Sequence, residues 1–156
     1  MRQTHRMSKR SAGILLHRPG PQVLVVHPGG PFFRNKDAGA WSIPKGEYEP
    51  AEEPRAAALR EFAEETGMTL PDANLLELGE IKQRNGKLVT AWAAAGDFEV
   101  DALRSNHFEI EWPPRSGRRQ AFPEVDRALW CDPETAREKL NPAQVAFVDR
   151  LLERLA

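Results

Sequence analysis

Apolar positions along this chain follow two different periods. The run Ser11 to His17 is almost continuously apolar, and Val23-Leu24-Val25-Val26 repeats that pattern after Pro19-Gly20-Pro21. Short apolar runs bounded by turn residues read as buried strands, so the pair predicts a hairpin. Pro28 to Ala40 reads as a loop, whose Phe32 and Phe33 either pack beneath it, the default, or face a ligand. Trp41 to Ile43 predicts a short strand. From Pro54 to Thr66 the pattern becomes helical: Leu59, Phe62, Ala63 and Thr66 fall on one side, and Glu61, Glu64 and Glu65 on the other. Asn74 to Arg84 and Lys87 to Ala93 predict two strands joined at Asn85-Gly86, a two-residue hairpin signal. Phe108 to Trp112 and Ala128 to Cys131 predict two more strands, and Pro133 to Leu140 a short helix. Pro142 to Leu155 predicts a last helix with Val145, Val148, Leu152 and Leu155 on one stripe. Strands, helix, strands, helix in that order predict an α/β fold, an α/β/α sandwich around a central mixed β-sheet.

The helix at Pro54 carries its own start and stop signals. Proline suits the first helical turn because its missing N–H is not needed there. Glu52 and Glu53 place negative charge at the positive end of the helix dipole. Gly67 follows as the residue best able to close a helix in the left-handed conformation. The carboxylates of Glu61, Glu64 and Glu65 would repel one another on a bare helix. A cluster of this kind invites a cation, and oxygen-only donors favour Mg²⁺ or Mn²⁺ over zinc.

A chain of 156 residues suffices for one domain with a real core. We read residues 1–10 as a flexible N-terminal extension, with Met7 a second plausible start, and residues 11–156 as a single domain. The formal charge of −1 does not argue for nucleic acid or a membrane surface as partner. No apolar run approaches the roughly twenty residues a bilayer span requires, and the first residues lack the apolar stretch of a signal peptide. Cys131 is the only cysteine. It reads as a small buried apolar residue, and a reducing, cytoplasmic location is expected. His27, at a strand end, reads as a satisfied polar residue, and Trp92 and Trp130 as core.

Gly46, Glu52, Arg60, Glu61, Phe62, Glu64, Glu65, Gly67 and Met68 stand at spacings that match the Nudix box at every constrained position. The sequence thereby resembles the Nudix hydrolases, and the resemblance implies the following. Glu61, Glu64 and Glu65 bind one or more divalent cations, Mg²⁺ or Mn²⁺, with the Gly46 carbonyl as a further ligand. Glu52 and Arg60 form a supporting ion pair. The reaction is hydrolysis of a diphosphate linkage in a nucleoside diphosphate joined to another group. The lead-in Trp41-Ser42-Ile43-Pro44-Lys45 resembles the form found in dinucleoside polyphosphate and diphosphoinositol polyphosphate hydrolases. Lys45 is read either as a phosphate contact or as a surface lysine.

Substrate choice is expected outside the box. The segment from Phe108 to Glu124 combines aromatics, prolines, arginines and glutamates. Arg115, Arg118 and Arg119 suit phosphate oxygens, and Trp112 or Phe122 suits stacking on a nucleobase; the alternative is a surface loop with its aromatics tucked in. Among Glu109, Glu111 and Glu124, Glu111 is preferred as a carboxylate from outside the box, and Glu64 is the alternative general base. The expected substrate is a dinucleoside polyphosphate such as diadenosine tetraphosphate, bound by a monomer or homodimer. An oxidised nucleoside triphosphate, a diphosphoinositol polyphosphate, an RNA 5′ end and a non-catalytic nucleotide sensor are the alternatives; ADP-ribose ranks lower.

Overall fold

A computed structural model describes residues 9–156 of the chain. The expected extension over residues 1–10 lies mostly outside the described residues. Its last residue does not, because Arg10 opens the first strand and the Lys9 carbonyl accepts from Leu88 N.

The elements are β1 (Arg10–Arg18), β2 (Gln22–Pro28), β3 (Lys45–Glu47), α1 (Pro54–Thr66), β4 (Leu76–Lys82), β5 (Leu88–Ala95), β6 (His107–Glu111), β7 (Arg119–Pro123), β8 (Val125–Cys131), α2 (Pro133–Lys139) and α3 (Val145–Leu155). Single 3-10 turns lie at Val100–Ala102 and Pro142–Gln144. The central sheet runs β4-β5-β1-β2-β8, with β3 added alongside β1. β1 and β5 are parallel from Arg10↔Leu88 to His17↔Ala95, and the other strand pairs are antiparallel, so the sheet is mixed as expected. One face packs Ala12, Ile14, Leu16 and Leu24 against Phe62 of α1. The other packs Leu15, Val23 and Val25 against Phe147, Val148 and Leu151 of α3. Alternate residues of each strand feed opposite layers, which makes the α/β/α sandwich.

β1 and β2 pair only beside their turn, at His17↔Val23 and Arg18↔Gln22. Farther along they part, and the chain that leads into β3 is wedged between them. Ser42 exchanges both backbone hydrogen bonds with Val26, at 2.8 and 2.9 Å, while β3 pairs with Ser11 to Gly13 of β1. This split places β3 against α1, while Ile43 packs in the layer of α3.

Several expectations are corrected. The β4–β5 loop holds three residues, not two: Gln83 N donates to Lys87 O, Gly86 N donates to Gln83 O, and Gly86 has φ +90°. That is a turn closed by a left-handed glycine, supported by Lys87 N donating to the Asn85 side chain. The stripe on α3 is centred on Phe147, Val148 and Leu151, with the expected Val145 and Leu152 partly buried beside them; Leu155 is exposed. Trp130 is only half-buried, with the Arg18 guanidinium 4.1 Å above its ring. Trp92, Cys131 and His27 are buried, and His27 is satisfied by Asp126 and the Lys36 carbonyl. Among the described residues no helix is long and apolar enough to cross a membrane.

The largest difference concerns residues 107–123. They form a separate hairpin, β6–β7, in register from His107↔Pro123 to Glu111↔Arg119. β7 has almost no apolar alternation to announce it. The hairpin rests on the loop after β2, where Phe108 meets Gly30 and Trp112 meets Phe32.

Candidate active site

α1 begins where its sequence directs. The Glu53 side chain accepts from Arg55 N and Ala56 N at 3.1 Å each, and Gly67 closes the helix at φ +83°. The acidic side of the helix is not a solvated face. Ala57, Ala58, Glu61, Phe62, Glu65 and Thr66 are all buried, while Leu59 and Ala63 are only partly so. Glu61 and Glu65, one turn apart, turn inward onto β3. Lys45 N donates to Glu65 Oε1 at 3.1 Å. Gly46 lies so close to Glu61 that a Cβ there would overlap the Glu61 carboxylate.

Arg60 organises the remaining box carboxylates. Its Nε and Nη2 donate to Glu52 at 2.7 and 2.9 Å in a two-pronged pair. Its Nη1 donates to Glu61 at 2.7 Å and to Glu64 at 2.9 Å. Glu52 is held below its ordinary pKa, chiefly by this hydrogen bonding. The reciprocal effect raises the arginine's.

The third carboxylate beside Glu61 and Glu65 is Glu124, at the junction of β7 and β8. One oxygen from each of the three lies within 4.8 Å of the others. Backbone bonds hold Glu124 there: its N donates to Asn106 O at 2.8 Å, Asn106 N donates to Glu64 O at 2.8 Å, and Gly29 N donates to Glu124 O at 2.9 Å. Glu111, the expected outside carboxylate, instead accepts from Gly117 N within the β6–β7 turn. Glu109 pairs with Arg119. Strand alternation places Glu109 and Glu111 on one face; both are exposed, and neither joins the cluster of Glu61, Glu65 and Glu124. The sequence signal for Glu124 is slight: it stands between Pro123, which ends one strand, and buried Val125, which begins the next.

Lys45 is half-buried, and burial is the main cause of its lowered pKa. Arg115, Arg118 and Arg119 are exposed on the hairpin. Trp112 is half-buried, edge-on to Phe32 with ring centres 5.6 Å apart. Phe32, expected to pack away, is 61 % exposed. Phe122 is half-buried and lies tilted against Phe108, with ring centres 6.1 Å apart. A cleft of about 470 Å³ opens beside the box, lined by Arg10, Tyr48, Glu52 and Arg60. A larger apolar cavity of about 900 Å³, around His17, Pro21, Leu152 and Leu155, lies at the other end of β1 and holds none of this chemistry.

Burial raises the pKa of Glu61 and Glu124, and takes Glu65 from 4.5 to about 8. A raised carboxyl favours the neutral form in the folded state. The unfolded chain ionises above 4.5 while folded Glu65 holds its proton to about pH 8, so metal-free stability falls as pH rises through that window. The slope is at most about 1.4 kcal/mol per pH unit for one group. Thermal unfolding in EDTA should therefore show wild type losing about 3 °C per pH unit relative to E65Q between pH 5 and 8. Parallel curves for the two proteins would refute the burial of this carboxyl. Oxygen-only donors, with the Gly46 backbone close by, suit a hard divalent cation, Mg²⁺ or Mn²⁺.

The family model of the NUDIX domain matches residues 7–151. An RNA pyrophosphohydrolase of Roseobacter denitrificans is 39% identical over 66 residues, covering 40% of this chain and 41% of the relative, so the match spans less than half of that protein. An RNA pyrophosphohydrolase of Rhodospirillum rubrum is 27% identical over 161 aligned positions, covering 94% of this chain and 91% of the relative. The crystal structure of a C. elegans Ap4A hydrolase binary complex superimposes with a TM-score of 0.66 at 19% identity, covering 93% of this chain and 97% of that one. That likeness is one of fold.

Proposed function

The chain belongs to the Nudix family, and on that premise we propose that it is a metal-dependent pyrophosphohydrolase. Its substrate in this reading is a nucleotide carrying a 5′-linked polyphosphate, first of all a dinucleoside polyphosphate such as diadenosine tetraphosphate. The observation that carries the reading is the convergence of Glu61, Glu65 and Glu124, from two distant segments, beside Gly46.

Glu61, Glu65 and Glu124 would hold Mg²⁺ or Mn²⁺, with Glu64 adjoining them and the Gly46 carbonyl as a further donor. When bound, the ion neutralises diphosphate charge and acidifies water. Arg60 keeps Glu61 and Glu64 oriented and is itself fixed by Glu52. Glu64, the most accessible of the box carboxylates on α1, is the general base; Glu124 takes the ligand place first expected for Glu111. Lys45, whose charge acts on Glu65, Glu47 and Glu61, is the cation on the phosphate side. Arg115, Arg118 and Arg119 meet the distal phosphates, and Phe32 with Trp112 forms the surface on which a base stacks.

A second reading, removal of pyrophosphate from an RNA 5′ end, is favoured by the names of the Roseobacter and Rhodospirillum relatives. The two substrates share a nucleoside 5′-polyphosphate. Product release from diadenosine polyphosphates, nucleoside triphosphates, ADP-ribose, diphosphoinositol phosphates and triphosphorylated RNA, each with and without Mg²⁺, separates them. Absence of turnover on the whole panel, alongside tight binding of one member, would favour a nucleotide sensor. Replacing Phe32 and Trp112 by alanine should raise KM by roughly tenfold or more per lost stack while changing kcat little. An unchanged KM would place the base elsewhere.

A further inference from the structure

We infer that Gln144 is a positioning residue for the carboxylate centre, acting through the chain that carries Gly46. This rests on the hydrolase reading above. Gln144 ends the 3-10 turn before α3 and is 0 % exposed. Its amide joins three segments that are distant in sequence. Oε1 accepts from Ile43 N at 2.9 Å, while Nε2 donates to Ser42 Oγ at 3.1 Å and to Gln83 Oε1 at 3.0 Å. The orientation follows from the partners: reversing the amide would set Oε1 against the Gln83 oxygen and a donor against the Ile43 N–H.

Ile43 needs this partner. The neighbouring backbone is already committed, with Ser42 bonded to Val26 and Trp41 to Lys139 and Asn141. At Ile43 the chain leaves β2 and crosses toward β1, where Pro44 O accepts from Ile14 N at 3.1 Å. Without Gln144 the buried Ile43 N–H would be unpaired, which folded chains avoid. Two residues beyond Ile43, Lys45 N bonds Glu65; three beyond, Gly46 abuts the Glu61 carboxylate. Movement at Ile43 is therefore passed to both carboxylates, and losses of about 100-fold in rate are typical of ångström-scale misplacement. Gln83 touches only the far side of the same amide and has no such route.

Three variants separate positioning from stability: Gln144→Met, which keeps the volume and loses every bond; Gln144→Glu, which keeps the acceptor for Ile43; and Gln83→Met. Mn²⁺ affinity by electron paramagnetic resonance is read together with kcat and KM on whichever nucleotide the wild type turns over, well below each variant's Tm. We expect Q144M to weaken Mn²⁺ binding and to lower kcat by about tenfold or more, with KM nearly unchanged. Q144E should recover most of kcat, and Q83M should lose Tm while keeping kcat and Mn²⁺ affinity near wild type. Equal kcat in Q144M and wild type would overturn the inference, as would equal losses in Q144M and Q83M. If Q144M does not fold, Gln144→Asn, whose amide stops one methylene short of Ile43 N, takes its place: a loss of kcat of about tenfold with weaker Mn²⁺ binding supports the inference, and wild-type values overturn it. Failure of the wild type itself to bind Mn²⁺ would instead count against the hydrolase reading.

Discussion

Replacing Glu65 by glutamine is expected to lower kcat by roughly a thousandfold while leaving the fold intact and the metal-free protein more stable. The amide keeps the oxygen that accepts from Lys45 N at 3.1 Å and removes only the charge. Burial makes that charge costly to the empty fold, as the pKa of about 8 records. A buried carboxylate kept against its own desolvation makes sense where a cation repays the cost. A thousandfold loss corresponds to about 4 kcal/mol of transition-state stabilisation, of the size expected when a hard-cation ligand is lost. Three measurements decide it together: kcat with saturating Mg²⁺, Mn²⁺ affinity, and Tm in EDTA. Turnover equal to wild type would sink the metal-site assignment. Glu64→Gln separates the two roles, since loss of a general base lowers kcat by roughly 10²- to 10⁴-fold with a smaller effect on Mn²⁺ binding.

Gly46→Ala should be nearly as damaging, for a steric reason confined to one contact. Gly46 does not have a positive φ, so alanine fits the backbone. The added methyl would instead overlap Glu61 Oε1 and Cδ, which are held from the other side by Arg60. The carboxylate must leave its place or β3 must move off β1. Either change separates Glu61 from Glu65 and Glu124, and we expect kcat to fall by about 100-fold or more. Gly96→Ala is the control, because its methyl would meet only Leu16 Cδ1, at 3.2 Å. Its turnover should stay within a factor of two or so of wild type. Normal turnover in Gly46→Ala would show that Glu61 does not need its observed position.

Much of this arrangement was legible along the chain. Pro54, Glu53 and Gly67 specify where α1 begins and ends, and the spacing of Arg60, Glu61, Glu64 and Glu65 places them within a turn of one another. The apolar runs from Ser11 and Val23 mark β1 and β2 as buried strands. These signals are local: a cap, a period or a turn acts over a few residues, and each can be read without knowing what lies across the molecule. The hairpin β6–β7 escaped because its second strand, Arg119–Pro123, packs too little apolar surface to impose an alternation.

Tertiary structure decided what the carboxylates meet. A helical projection separates Phe62 from Glu61 and Glu65, yet all three are buried, because β3 enters the gap between β1 and β2 and covers the acidic side. Glu124 rather than Glu111 reaches the centre because Asn106 ties the β7–β8 junction to the end of α1. Gln144 meets Ile43 across 101 positions of sequence for a similar reason. By itself the sequence determined the helix, its caps and the spacing of its charges, all of them interactions between near neighbours. Which distant groups converge on those charges was set only by strand order, because nothing local to either segment encodes the other's position.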